Sequence, residues 1–450
     1  MRPHLFVWAG VVVLTAVGGV LTHSATRGQG PTDPPKMLPA EVIAPTPIGP
    51  SAKGVVPTAA TGPSAAKKPA PFDRFRKYDE LPELTREIVF ANLRGTEWLS
   101  RGGIHQANGR FIPGLNPALG KATEDDHFMR QALGAFALAR AARLTGEEKY
   151  TVAASQTILS LLAETPKDPA NPAARKPVQP AVVCNPVGAT AYLALAIFEL
   201  PDPAPQMSQY GEELCEFLRA HLQPDGSVQF TEPGSPAEPD GINLYPGPAL
   251  AALAMSQRSA PAVWKKEALA RGLAHYRKHF QANPHPALVP WMTIAFAEAH
   301  LQAKDAAYAE FVFEMSDWLC KLQYENPDRQ RAFWRGGFPA VADAKVVQTA
   351  PTIDTAYYAL GLADACRMIR QMSRADAARY DQYRSALTRA LQFLITLQYG
   401  EENTLHFAAH FRPAVVGAFH ASHTDGNLRI DHTAVAVAAL CEFLIAGADQ

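Results

Sequence analysis

The chain has 450 residues, 47% of them apolar, and a formal net charge of −1. That is ample for a large core, and it excludes an electrostatic nucleic-acid binder, which needs a basic face. The five cysteines (Cys184, Cys215, Cys320, Cys366 and Cys441) stand far apart with no CxxC or CxxH pair, which argues against a disulfide scaffold and against a zinc site.

The N-terminus reads as an address. Residues 5–22, LFVWAGVVVLTAVGGVLT, form an uncharged apolar run behind Arg2. This length fits a signal anchor, with a cleaved signal peptide as the alternative, and assigns residues 1–25 to export. The rest of the chain is then expected outside the cytoplasm, periplasmic or at the cell surface, tethered to the inner membrane or secreted. Residues 26–71 are rich in Pro, Ala, Thr, Ser and Gly and read as a disordered, semi-extended linker. A single helical domain is expected over 72–450.

From there the apolar pattern has a helical period, and no stretch alternates long enough to compete as a sheet. Two kinds of helix take turns. Amphipathic segments at 82–101, 147–164, 207–222, 263–280, 306–323 and 375–398 carry charge on one face. Ala-rich segments at 126–144, 186–200, 246–256, 288–302, 354–371 and 431–446 are apolar on most sides and therefore buried. Strict alternation predicts six outer-to-inner hairpins that bury their apolar faces only against neighbours. Closing the row into a ring gives an all-α (α/α)6 toroid with parallel inner helices.

Parallel inner helices gather their N-termini at one rim. The segments leading into them are EDDHFMRQ (124–131), VVCNPVG (182–188), PDGINLYPG (239–247), PALVPW (286–291), TAPTIDTAYY (349–358) and SHTDGNLRIDH (422–432). Asp126, Asp354 and Asp431 each stand at the start of an inner helix, where an N-cap is one explanation. Their company points to a second: Asp126 and Arg130 share a helical face, and Asp425, Arg429 and Asp431 crowd together beside His423 and His432. Asp126, Asp354 and Asp431 are the expected catalytic acids, since paired carboxylates are the minimum for acid–base work on a glycosidic bond. Arg130 and Arg429 would orient a carboxylate or hydroxyl group. His127, Asn243, Tyr245, Trp291, Tyr357 and Asp425 complete the expected substrate contacts, with Trp334 as a further flat surface for a sugar ring. His127, His423, His432 and Tyr245 could carry protons in a lyase or epimerase. No cofactor and no metal is expected.

Three stretches, FLRAHLQPDGSVQF (217–230), DWLCKLQYENPDRQRAFWRGGF (317–338) and FLITLQYGEENTLHFAAHFRPAVVGAF (393–419), resemble the repeat of the squalene cyclase and prenyltransferase superfamily. There, an outer helix ends in a Leu–Gln pair and a Gly-containing turn leads onward. RQALGAFALARAARLTG (130–146), NLYPGPALAAL (243–253), PALVPWMT (286–293), FVFEMSDWLCKLQ (311–323) and TDGNLRIDHTAVAVAAL (424–440) resemble bacterial toroids related to six-hairpin glycosidases, polysaccharide lyases and uronyl epimerases. The resemblance implies a carbohydrate-active enzyme that hydrolyses, eliminates or epimerises a polysaccharide. A non-catalytic toroid binding a glycan, lipid or protein is the alternative. The acid motif of a protonating terpenoid cyclase, D-x-D-D, is absent, so terpenoid cyclisation ranks below both.

Overall fold

A computed structural model describes residues 71–450, apart from 124–125, 182, 232–237, 343–344 and 374–375. The segment expected to direct export (1–25) and all of the expected linker but Pro71 lie outside the described residues. Among the described residues, no helix is long and apolar enough to cross a membrane.

The alternation of helix types survives intact. The inner helices are α2 (Phe128–Thr145), α4 (Pro186–Glu199), α7 (Pro246–Ser259), α9 (Val289–Ala303), α11 (Thr355–Gln371) and α14 (Ile430–Ile445). The outer helices are α1 (Glu83–Ser100), α3 (Glu148–Ala163), α5 (Pro205–Ala220), α8 (Val263–Ala282), α10 (Ala306–Leu322) and α12 (Ala377–Thr396). Two single turns, α6 (Gly241–Leu244) and α13 (Arg412–Val415), sit in the longer connections. Composition explains the sorting. All of α14 from Ile430 to Leu444 is buried, whereas α5 buries one stripe through Met207, Gly211, Leu214 and Leu218.

The inner helices pack in the cyclic order α2, α4, α7, α9, α11, α14 and back to α2, so the ring is closed. The pairing differs from the expected outer-to-inner hairpins. Each inner helix packs chiefly on the outer helix that follows it, and α1 packs on α14, so the two ends of the domain form the sixth pair. Connection length is the reason. Inner helices lead outward through tight turns such as Gly146–Glu147 and Lys304–Asp305, which hold the pair together. Outer helices lead inward through long loops that can cross to the next stave.

Those long loops gather at the rim formed by the inner-helix N-termini, and they hold short strands that helical periodicity did not reveal. Strands β1 (Gly114–Asn116), β2 (Lys121–Ala122), β7 (His420–Ser422) and β8 (Asp425–Arg429) form an antiparallel sheet in the order β2-β1-β8-β7. Two hairpins, β3 (Lys167–Asp168) with β4 (Asn171–Arg175) and β5 (Ala340–Ala342) with β6 (Lys345–Val347), complete the set. The loops are also clamped to the outer wall. Gln398 donates from Nε2 to the Gly417 and Ala91 carbonyls, and Gln323 donates to those of Gly336 and Ala386. Gly336 and Gly417 have positive φ, and a Cβ on either would lie 2.0 and 2.5 Å from a backbone carbonyl of the next outer helix. Only glycine permits that approach.

At the opposite end the ring is filled by charge. Arg140 donates to Glu199 at 3.0 and 3.2 Å and lies 3.5 Å from Glu442. Arg367 lies 3.1 Å from Glu442, 2.6 Å from Asp364 and 3.4 Å from Glu298, and Arg258 reaches Glu298 at 3.6 Å. All six inner helices contribute a member. The Arg140 and Arg143 guanidiniums hold the Glu199 carboxyl down to about 2 despite its burial, the surrounding carboxylates keep Arg140 and Arg367 charged, and burial and the neighbouring Asp364 push the Glu442 carboxyl up.

Breaking a buried pair strands a charge, at a cost of about 3–5 kcal/mol. Arg140→Met should therefore lower the unfolding free energy by about that amount in urea titration. Glu442 behaves with the opposite sign. Its folded pKa lies above that of a free carboxyl, so its ionisation weakens the fold as pH rises from about 4.5 through the raised value. Glu442→Gln should raise the melting temperature relative to the parent more at pH 8 than at pH 5; a larger gain at pH 5 would contradict the assignment.

Candidate active site

None of the three expected acids caps a helix with its side chain. Asp126 precedes the cap residue His127, Asp354 occupies the cap position of α11 without a capping hydrogen bond, and Asp431 lies within the first turn of α14. Asn185 shows what capping looks like here, accepting from Val187 and Gly188 backbone N–H groups at 3.1 Å each. The acids are therefore free for other work, and the structure divides them.

Asp431 is buried and locked. The Arg429 guanidinium donates to both of its oxygens, from Nε at 3.0 Å and from the NH2 nitrogen, and Arg130 Nε lies 3.8 Å away. Arg429 is delivered by β8, whose pairing sets it opposite Gly114. The two guanidiniums and His432 hold the Asp431 carboxyl down to about 2 despite its burial. Burial pushes His432 down to about 4, so the ring is neutral at pH 7.

Asp354 has the opposite character. It is solvent-exposed, yet desolvation is the largest influence on its carboxyl and pushes its pKa up. Exposure and desolvation coexist where a side chain reaches solvent but is surrounded by the inner-helix starts and rim loops. Among the described residues its one side-chain donor is the Thr352 hydroxyl, at 3.0 Å. Arg429 and Asp431 are close enough to act on its charge, and Tyr357, half-exposed one turn on, feels all three. Burial raises the Tyr357 hydroxyl well above its ordinary value. Asp354, Tyr357, Arg429, Asp431 and Arg130 thus form one cluster across α11, α14 and α2.

Asp126 has different partners. Its oxygens accept from the His127 backbone N–H and Gln131 Nε2, both at 2.8 Å, and from Arg110 at 3.4 Å. Gln131 in turn holds the backbone of Phe111. This set ties the first rim loop to α2, and it includes neither Asp354 nor Asp431. Asp425 is exposed and shapes the β7–β8 turn by accepting from the Asn427 N–H at 2.9 Å. His127 is buried at the start of α2. His423 bonds Thr396 and packs on Phe333 and Phe393, away from His432's surroundings. Trp334 stacks near Tyr324 under Arg331 on the loop before β5. Among the described residues no group of side chains has the makings of a metal site.

A second wall stands across the ring. The Tyr245 hydroxyl donates to Glu238 at 2.5 Å, and Asn185 Nδ2 lies 3.4 Å from the same carboxylate. Asn185 heads α4, which stands three places from α11 in the ring, so Glu238 and Asp354 belong to facing walls. Asn243 is half-buried in α6 beside them. Trp291 is only 3% exposed, its ring edge-on to Tyr192 at 5.2 Å and to Phe136 at 5.7 Å. Phe136 lies on Arg140, with 4.6 Å between guanidinium and ring. Trp291, Tyr192 and Phe136 therefore make the floor of the hollow, and the ionic network lies beneath them. Glu238, Tyr192 and Phe136 are the members that sequence reasoning missed. Glu238 stands one residue outside the segment singled out before α7, and the two aromatics are hidden in helix bodies.

The architecture is that of the six-hairpin α/α toroids. The α-1,6-mannanase of Salegentibacter sp. HEL1_6, solved as an inactive variant changed at two aspartates and bound to α-1,6-mannotriose, is 9% identical with a TM-score of 0.56, covering 80% of this chain and 99% of that one. The unsaturated glucuronyl hydrolase of Bacillus sp. GL1, described as responsible for glycosaminoglycan degradation, is 14% identical with a TM-score of 0.55 over 79% and 96%. A D-to-N mutant of the Streptococcus agalactiae glucuronyl hydrolase is 10% identical with a TM-score of 0.51 over 80% and 91%. No protein-family model matches the chain, and no curated protein matches it. At these identities the likeness is one of fold.

The different anchoring of the acids has a measurable consequence. Asp431→Asn leaves Arg429 and Arg130 without their buried partner and should cost about 3–5 kcal/mol in denaturant unfolding. Asp126→Asn weakens a half-exposed ion pair and should cost less than about 1 kcal/mol. Equal losses would show that Asp431 is not the buried anchor described.

Proposed function

We propose that the chain is a carbohydrate-active enzyme that cleaves a glycan in the rim hollow, with Asp354 as the proton donor. One observation carries this: two neighbouring carboxyls on one wall are driven in opposite directions, Asp354 upward and Asp431 down to about 2. Groups pushed apart in this way can divide acid and base roles at a single pH. Asp431 keeps its charge and fixes Arg429, while Asp354, shifted upward, would be the group of the two that carries the proton.

The chemistry balances as hydrolysis. Asp354 would protonate the glycosidic oxygen as its bond to the anomeric carbon breaks. Water would add to that carbon and yield its proton to a second carboxylate, and Glu238 on the facing wall is the candidate. Tyr245 would hold Glu238 in place through their 2.5 Å hydrogen bond. Arg429 and the six inner-helix N-termini would favour hydroxyl-rich or anionic sugars. The mannanase and glucuronyl hydrolases that share the fold are named for such substrates, which supports a carbohydrate ligand here.

Asp354→Asn should reduce turnover of a cleaved glycan by about 10²–10⁴-fold while leaving its affinity within about threefold, measured by product release and by calorimetry. The parent should lose activity as pH rises through the raised Asp354 pKa, because the donor must be protonated. Undiminished turnover in the variant sinks the assignment. Glycan binding without turnover by the parent, across a panel of neutral and acidic polysaccharides, favours the non-catalytic toroid instead.

We also infer an extracytoplasmic site of action, supported by the apolar run at 5–22 behind Arg2 and the Pro-rich stretch that follows. Protease added to intact spheroplasts should degrade the toroid domain; full protection would place it inside.

A further inference from the structure

We propose that the groove between α1 and α12, on the outer wall, binds a tetrahedral oxyanion: a phosphate or sulfate group, free or as a monoester. The groove encloses about 390 Å³, and Arg335, Arg384, Arg389, Ser385 and Thr388 are on its wall, backed by Phe443. This site is separate from the rim hollow and independent of the hydrolytic reading.

Charge accounting points to an anion. The carboxylate on the wall, Asp449, is already taken by Arg74, which donates to both of its oxygens at 2.7 Å. Arg389 gives Nε to Gln323 and lies 3.3 Å from Glu325, an exposed residue outside the groove lining. Arg384 gives one nitrogen to the Gln450 carbonyl and lies 3.7 Å from exposed Asp381. The Arg335 side chain is exposed and makes no hydrogen bond or ion pair among the described residues; its backbone N–H donates to the Ala332 carbonyl at 3.3 Å. Three guanidiniums therefore converge with spare donors, and the hydroxyls of Ser385 and Thr388 add more. Guanidiniums are the side chains best matched to a phosphate's paired oxygens.

The convergence is built in. Arg335 belongs to the loop after α10, far from α12 in sequence. Gly336 brings it there: its φ is +88°, and an added Cβ would lie 2.0 Å from the Arg389 carbonyl. Gln323 then ties the carbonyl of Gly336 to that of Ala386. The backbone is thus pinned to α12 on both sides of the site, and Arg335 is held beside Arg389 and Arg384 despite their mutual repulsion. A bound oxyanion offsets that repulsion. The volume exceeds that of a single water site, so it also admits part of the molecule carrying the group.

The test uses the folded chain at fixed ionic strength, balanced with sodium chloride. Inorganic phosphate, sodium sulfate and glucose 6-phosphate are titrated by calorimetry, with glucose as the uncharged control. At least one oxyanion should bind saturably, and Arg335→Gln and Arg384→Gln should each weaken it tenfold or more. Arg335 holds nothing else in place, so its variant should melt at the parent temperature in chloride alone. Arg76→Gln, on a surface pair with Asp73, should bind like the parent. Binding by glucose 6-phosphate but not phosphate assigns the site to a monoester, and the reverse assigns it to the free ion. Absence of binding by all three, or unchanged affinity in Arg335→Gln, overturns the proposal.

Discussion

Six parallel helices cannot share a core without bringing six like dipole ends together, and this constraint organises the molecule. Each helix terminus carries roughly half an elementary charge. Arg140, Arg258, Arg367 and Glu442 each lie twelve residues into their helices, counting from Phe128, Pro246, Thr355 and Ile430. At 1.5 Å per residue that is about 18 Å along the axis, at the end where the carbonyls point. The arginines answer the negative pole and the carboxylates answer the arginines. Arg140 spans from Glu199 of α4 to Glu442 of α14, so one guanidinium fixes α2 against both neighbours. Apolar packing of Ala-rich helices tolerates rotation and sliding; a bidentate pair does not.

The other pole explains the rim. There the unpaired N–H groups converge, and an anionic side chain is stabilised rather than repelled. Acids could accumulate at the inner-helix starts without serving as caps. What separates Asp354 from Asp431 is the local cation count. Arg429 is spent on Asp431 through two hydrogen bonds, with Arg130 behind it, and so reaches Asp354 only through space. Had Arg429 turned to Asp354 instead, its charge would push that carboxyl's pKa down rather than leave it raised.

The sequence carried the helices, because burial on all sides and burial on one stripe leave different residue patterns. It did not carry their pairing. Alternation is the same whether a hairpin is read outer-to-inner or inner-to-outer, and only the tight turns after the inner helices decide it. The Leu–Gln and glycine stretches were visible as a repeat, yet their role as clamps depends on which outer helix comes next in space. Within the site, Asp354, Asp431, Arg429, Arg130 and Tyr357 were legible because helix starts share a rim. Asp126 matched the same pattern and faces Arg110 and Gln131, since one residue's displacement before the helix turns its carboxylate elsewhere. The charged layer beneath the aromatics escaped notice for a simple reason: single charges in apolar helices look incidental until seven of them meet.

The layering also limits how the hollow can operate. Trp291, Tyr192 and Phe136 close it below, and the ionic network beneath them offers no apolar path out. A ligand therefore enters and leaves by the rim alone. On the proposed reading, a glycan polymer would present an end or a side branch, or lie across the mouth with one unit dipping in. The rim loops, carrying the sheet β2-β1-β8-β7 on one side and the β5–β6 hairpin on another, then decide which of these geometries is admitted. Those loops are the least helical and least repetitive part of the described residues. The regular geometry of the staves thus fixes where the rim cluster sits, and the irregular loops shape the approach to it.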